Sequence, residues 1–340
     1  MNHDVILIPG DGIGPEVAAA TLRVLEAARA PLTFEERYAG EAALAKGERE
    51  VLPESTLTAI QRCHVALKGP CSTPVGKGFR SVNVGLRKAL NLYAAVRPVR
   101  SLPGVTTRYE NVDLIVVREN TEGLYSGVEN EITEGVVASM KVATRVACHR
   151  IAKYAFRFAT HMRRRRITVL HKANIMKLTD GMFIEEAQKV YSKDYPNIEY
   201  RELIVDAGAM RIVQDPSQFD ILLCENLYGD IVSDLCAGLV GGLGVTPGAN
   251  IGEVDAIFEA VHGSAPDIAG KNVANPLALI MSACMMLDHL STTRDDASCR
   301  SASEAITQAY RRALAEGDKT RDLGGSLSTT GFADAVVSRL

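Results

Sequence analysis

Short apolar runs recur along the chain, and most are followed by a segment with helical spacing. The run VILI at 5–8 leads through PGDGIGPE into VAAATLRVLEAARA, which predicts a strand, a glycine-rich turn and a helix over 15–30. Proline suits the first turn of that helix, where a missing N–H costs nothing. LTFEERY then reads as a strand, PESTLTAIQRC as a helix, HVALKG as a strand and 83–90 as a helix. LYAAVRPVRS and DLIVVREN follow as strands. Such alternation predicts an α/β layered fold with mainly parallel strands.

The middle breaks the rhythm. GLYSGVENEITEGVVASMKVATR is rich in β-formers, punctuated by glycine and without a helical period, so it predicts an antiparallel arm or hairpin. Beyond it, the helix VACHRIAKYAFRFATHM, the strand ITVLHK, a further helix and the strand YRELIVDAG restore the alternation. There is no internal repeat or low-complexity linker. The expected division is therefore a middle domain over 99–242, inserted between the halves 1–98 and 243–340 of a larger one.

With 340 residues, 46% of them hydrophobic and 23% charged, the chain can build two domains or one large α/β unit. A net charge of -3 argues against a dedicated nucleic-acid binder. One basic cluster, Arg163 with Arg164, Arg165 and Arg166, reads as a helix C-terminal end whose cations complement the dipole and stay in water. The seven cysteines show no C-x-x-C pair and no zinc-ligand spacing, which fits a reducing cytosol. LALIMSACMML is too short to cross a membrane and reads as a buried helix. No secretory signal precedes the first strand. These features set the expectation of a soluble, cytoplasmic protein with no membrane or nucleic-acid partner.

Within this frame, three groups of residues suggest chemistry. The opening turn has Gly10, Gly12 and Gly14, but position 15 is proline where a dinucleotide fingerprint G-x-G-x-x-G needs its third glycine. YGDIVSD places Asp230 and Asp234 four apart, on one face if the segment is helical, and bare carboxylates at that spacing repel unless a cation lies between them. Asp206 in IVDAGAM stands at the end of an apolar strand. Hard oxygen ligands of this kind suit Mg2+ or Mn2+. The same aspartates also read as surface helix charges, or Asp230 as a helix cap. Arg87, Arg97 and Arg118 lie in or beside apolar segments, where a guanidinium needs an anionic partner; salt bridges would serve, and so would a small polycarboxylate. Lys172 follows the strand ITVLH and is a candidate proton acceptor, with Tyr125 in ENTEGLYSG a candidate acid.

These motifs together resemble the metal-dependent β-decarboxylating dehydrogenases: the isocitrate, isopropylmalate, homoisocitrate and tartrate dehydrogenases. The likeness runs from PGDGIGPEV through KGP, LRKALNLYAAVRP, RENTEGLYSG, VLHKANIMK, NLYGDIVSD and EAVHGSAPDIAGKNVANP to DLGG, covering essentially the whole chain. It implies an α/β, isopropylmalate dehydrogenase-like fold of two α/β domains, not a Rossmann fold, with a β-rich dimer clasp over about 123–145. It implies NAD held chiefly by the loop His262, Gly263, Ser264, Ala265, Pro266, Asp267 and Ile268, with Asn275, Ile13 and Thr73 nearby. Asp267 and Ile268 replace the lysine and tyrosine of NADP-using relatives, and a carboxylate there favours ribose hydroxyls over a 2′-phosphate.

The resemblance further implies that Arg87, Arg97 and Arg118 hold substrate carboxylates while Ser81 and Asn83 read the distal arm. Isopropylmalate enzymes carry leucine where Asn83 stands, so isocitrate is the expected substrate and homoisocitrate the runner-up. Mg2+ or Mn2+ is expected on Asp230 and Asp234 of one protomer and Asp206 of its neighbour, which also contributes Lys172 and Asn174. The expected assembly is a homodimer with shared active sites, and larger assemblies are compatible with it.

Overall fold

The computed structural model describes residues 2–74, 78, 79 and 81–340. Two compact units emerge: Met1–Asn91, Ser101–Glu110 and Val240–Leu340 form the first, Leu92–Arg100 and Asn111–Leu239 the second.

The first unit opens with β1 (His3–Ile8), α1 (Gly14–Ala27), β2 (Leu32–Glu36), α2 (Glu41–Ala45), α3 (Glu54–Cys63), β3 (Val65–Lys68) and α4 (Val82–Ala89). The second contains β4 (Ala94–Arg100), β5 (Asp113–Glu119), β6 (Gly123–Thr133), β7 (Val136–Val142), α5 (Arg145–His161), β8 (Arg166–His171), α6 (Thr179–Asp194), β9 (Glu199–Ile204), α7 (Val205–Gln214), β10 (Ile221–Cys224) and α8 (Asn226–Val240). The chain then returns to the first unit with β11 (Pro247–Ile251), β12 (Ala256–Ala260), α9 (Leu277–Thr293), α10 (Ala297–Ala315) and α11 (Thr329–Val337).

Strands of the first unit run in the order β2-β1-β3-β12-β11, parallel except for β11 against β12. Those of the second run β4-β5-β10-β8-β9, parallel except for β4 against β5. Neither order is that of a Rossmann sheet. β1 and β3 are buried on both faces, which is why their sequences are continuously apolar instead of alternating. Helix α9, the segment LALIMSACMML and its continuation, lies in the core against α10. Among the described residues no helix is long and apolar enough to cross a membrane.

Some expectations shift. Leu92–Arg100 belongs to the second unit because β4 pairs with β5 along its whole length, so the division does not fall at 98. Ser101–Glu110 goes with the first, where Lys319 Nζ donates to Gly104 O at 2.8 Å. The GLYSGVENEITEGVVASMKV stretch does form an antiparallel pair, β6 with β7. Only part of the basic run stays in water: Arg163 and Arg165 are exposed, but Arg164 bonds Asp220 Oδ1 at 2.8 Å and Asp113 Oδ1 at 2.5 Å, and Arg166 Nε reaches Glu199 Oε2 at 2.7 Å. It staples the entry ends of neighbouring strands. All seven cysteines are buried and free.

Candidate functional site

In the second unit, β5 delivers Arg118 to the first turns of α8, where it is fully buried. Its Nε and Nη2 donate to Asn226 Oδ1 at 3.0 and 2.6 Å, and Nη1 pairs with Asp230. Its guanidinium lies 5.1 Å from the centre of the Tyr125 ring, and the Tyr125 hydroxyl donates to the other Asp230 oxygen. Asp230 and Asp234 share a face of α8, as their spacing requires. Burial raises the Asp234 carboxyl above its ordinary value, Arg97 draws it down, and Asp230 raises it again. Two carboxylates that oppose each other's ionisation are relieved by a hard cation, so this donor set fits Mg2+ or Mn2+.

A second cluster surrounds Lys172, the first residue beyond β8. Its Nζ donates to Asp206 Oδ1 at 2.5 Å, which holds the Asp206 carboxyl below its ordinary value. Its backbone N–H donates to Asp180 Oδ2 at 2.6 Å, and Lys141 Nζ bonds the other Asp180 oxygen at 2.5 Å. Asn174, two residues on, is exposed. Asp206 corrects the sequence reading: it is not a strand end but the second residue of α7, because β9 passes into the helix at Ile204 without a loop. A carboxylate in the first helical turn complements the dipole. Nor do the three aspartates meet within one chain. Among the described residues, the only group of three histidine, cysteine or acidic side chains with ligand atoms within 4.8 Å of one another is His3, Asp296 and Cys299.

The first unit carries Ser81, Asn83 and Arg87. Ser81 caps α4, its Oγ accepting from Val84 N at 3.4 Å, which leaves the hydroxyl proton to donate elsewhere. Asn83 keeps one end of its amide, Oδ1, buried and unpartnered. Arg87 is buried, with Nη2 3.8 Å from Glu259 Oε1. Glu259 also accepts from Lys68 Nζ at 2.6 Å and Asn250 Nδ2 at 2.6 Å. Burial would lower the Lys68 ammonium, but Glu259 more than compensates and holds it above its ordinary value. Lys68 and Glu259 escaped the sequence reading. Their signal was a charged residue inside each of two apolar strands, VALK and AIFEA.

The glycine-rich turn is explained by close backbone approach. A Cβ at Gly10 would stand 2.1 Å from Pro70 O, and one at Gly12 would stand 2.0 Å from Ser264 O; both residues also have positive φ. Ile13, buried, donates its N–H to Ser264 O at 2.8 Å, and Ser72 Oγ lies 2.9 Å from Ser264 Oγ. The turn is thus fastened to the 262–268 loop. Thr73 and Asp267 are exposed, Ala265 has φ 39°, and Pro266–Ile268 form one short 3-10 turn. His262 Nδ1 lies 3.0 Å from Gly263 O while its Nε2 is buried without a partner, and burial lowers the imidazole below its ordinary value. Asn275 spends both amide ends locally, on Asp322 Oδ2 at 2.9 Å and on Leu277 N at 3.0 Å.

Residues 4–336 match the family model described as isocitrate/isopropylmalate dehydrogenase. The chain is 51% identical over 336 residues to isocitrate dehydrogenase [NAD] catalytic subunit 5, mitochondrial, of Arabidopsis thaliana, covering 98% of this chain and 87% of the relative. It is 49% identical over 338 residues to a mitochondrial regulatory subunit of isocitrate dehydrogenase [NAD] from Dictyostelium discoideum, covering 99% and 91%. The crystal structure of isocitrate dehydrogenase from Methylococcus capsulatus superposes with a TM-score of 0.93 at 47% identity, covering 99% of both chains. The cytoplasmic expectation is overturned by the first two relatives, both named as mitochondrial.

Proposed function

Since the chain belongs to the isocitrate/isopropylmalate dehydrogenase family, we propose that it oxidises isocitrate with NAD+ and releases CO2, giving 2-oxoglutarate, in the presence of Mg2+ or Mn2+. The observation that carries the choice of substrate is Ser81, whose hydroxyl keeps a proton to give, two residues from the amide N–H donors of Asn83. Such groups match a distal carboxylate and reject an apolar arm, which would leave them unpaired.

Arg87, Arg97 and Arg118 take the carboxylates, and Ser81 and Asn83 fix the distal arm. Lys172 helps remove the hydroxyl proton, either through a carboxylate or water or directly once its ammonium has passed a proton to Asp206, whose Oδ1 lies 2.5 Å away. A bound Mg2+ or Mn2+, held by Asp230, Asp234 and Asp206, supplies a Lewis acid, and NAD+ supplies the hydride acceptor. Tyr125 then returns a proton to the carbon that CO2 has left. The 262–268 loop, with Ile13, Thr73 and Asn275, holds the dinucleotide, and the exposed Asp267 selects NAD over NADP by repelling a 2′-phosphate.

The catalytic unit is a homodimer in which Asp230 and Asp234 of one copy work with Lys172, Asn174 and Asp206 of the other. Two observations support it. Lys172 pairs with Asp206, and Asp206, Asp230 and Asp234 do not form one cluster of ligand atoms among the described residues. Large apolar side chains stand exposed beside Lys172, at Ile175 (70%) and Leu178 (86%), and on β6 and β7, at Ile132 (69%) and Val137 (66%).

A regulatory role within a larger assembly is the second reading, favoured by the name of the Dictyostelium relative. Retention of Tyr125, Lys172, Asp206, Asp230 and Asp234 weighs against it. Initial rates of the purified chain with Mn2+ and NAD+ against isocitrate, homoisocitrate, isopropylmalate and tartrate separate the readings. Highest kcat/KM on isocitrate supports the proposal, preference for isopropylmalate overturns the substrate, and no turnover at all points to the regulatory role.

A further inference from the structure

We propose that Gly229 is a positioning residue: it leaves the room on α8 that lets Arg118 lie across the helix and aim its guanidinium. The inference rests on the reading of Arg118 as a binder of substrate carboxylate. Gly229 and Asp230 follow Asn226 by three and four residues, and Ser233 follows them by four and three, so all four share one helix face. Arg118 crosses that face from β5, spanning from Asn226 Oδ1 to Asp230.

A Cβ at Gly229 would stand 2.5 Å from Arg118 Cγ, 2.6 Å from its Cβ and 2.9 Å from its Cδ. These atoms are the base of the side chain, so rotating its far end relieves nothing. The strand cannot easily withdraw either, because β5 is hydrogen-bonded to β4 on one side and β10 on the other. Backbone conformation does not demand glycine here, since Gly229 is not among the residues with positive φ. Glycine is also a poor helix former, so its place in α8 is a cost that space for Arg118 explains. Gly238, on the same helix, offers the contrast, since a Cβ there meets nothing within 4 Å among the described residues.

The test is a double-substitution cycle with isocitrate, Mn2+ and NAD+, comparing wild type, Gly229→Ala, Arg118→Gly and the double variant, with Gly238→Ala as control. Gly229→Ala is expected to raise KM for isocitrate and to lower kcat/KM by roughly 100-fold, the usual effect of a small misplacement of a binding group, with KM for NAD+ unchanged. Gly238→Ala is expected to match wild type. Against Arg118→Gly, where no stem remains to collide, Gly229→Ala should change kcat/KM by less than roughly threefold.

A Gly229→Ala enzyme as active as wild type overturns the inference, as does an equal loss in both backgrounds. An Arg118→Gly enzyme as active as wild type brings down the reading of Arg118 together with the inference. Loss on Arg118→Gly with an indifferent Gly229→Ala brings down the inference only. Should Gly229→Ala fail to fold, circular dichroism of the double variant decides: a recovered fold upholds the collision, and an unrecovered one overturns it.

Discussion

Replacing Lys172 with methionine should stop turnover while leaving the protein folded and able to bind substrate. Methionine keeps the length and apolar stem of lysine and removes only the ammonium. The backbone at this position is held independently, by the N–H of Lys172 on Asp180 Oδ2 at 2.6 Å, with Asp180 2% exposed. The lost ion pair with Asp206 is open to water, with side chains 28% and 68% exposed, and pairs of that kind contribute little to stability. The melting temperature should therefore stay within roughly 2 °C of wild type. A missing general base costs roughly 100-fold to 10,000-fold in rate, or about 3–5 kcal/mol of barrier. Initial NADH formation gives the rate, and calorimetry with Mn2+ and isocitrate gives binding. Turnover within tenfold of wild type would refute the proton-transfer role. Lost turnover with an equal loss of binding would move Lys172 from proton transfer to substrate binding.

Two further outcomes follow from other parts of the molecule. Burial alone would raise the Glu186 carboxyl, but hydrogen bonds from Lys189, Arg145 and His149 overcome this and bring it from the ordinary 4.5 to about 2. A folded-state value below the unfolded one gives stability that is present above about pH 4.5 and lost as pH falls toward 2. Glu186→Gln should lower the melting temperature at pH 7 by roughly 3–6 °C, with the difference closing in acid; equal melting at pH 7 contradicts this. Replacing Asp267 with lysine and Ile268 with tyrosine should raise the ratio of kcat/KM for NADP+ over NAD+ by at least roughly tenfold, and an unchanged ratio would remove Asp267 from cofactor choice.

Much of this was legible along the chain, for identifiable reasons. Runs such as VILI and ITVLH lie in buried parallel strands and carry no polar alternation to confuse the reading. The four-residue spacing of Asp230 and Asp234 needed only the helix that NLYGDIVSD forms. Asp206 was misplaced because an apolar strand and an apolar helix meet at Ile204 and Val205 with no turn residue between them. β11 escaped because PGANI begins with proline and contains glycine, both poor strand signals. Lys68 and Glu259 are 191 residues apart, and their pairing exists only once β3 and β12 lie side by side. The glycines of the opening turn miss the dinucleotide fingerprint, and the reason for Gly10 and Gly12 lies far along the chain, in the carbonyls of Pro70 and Ser264.

Product stoichiometry tests the central claim most directly. Purified chain, isocitrate, Mn2+ and NAD+ are mixed, and NADH, CO2 and 2-oxoglutarate are quantified in the same sample. The account predicts one CO2 and one 2-oxoglutarate for every NADH. NADH without matching CO2, or no NADH at all, would contradict it.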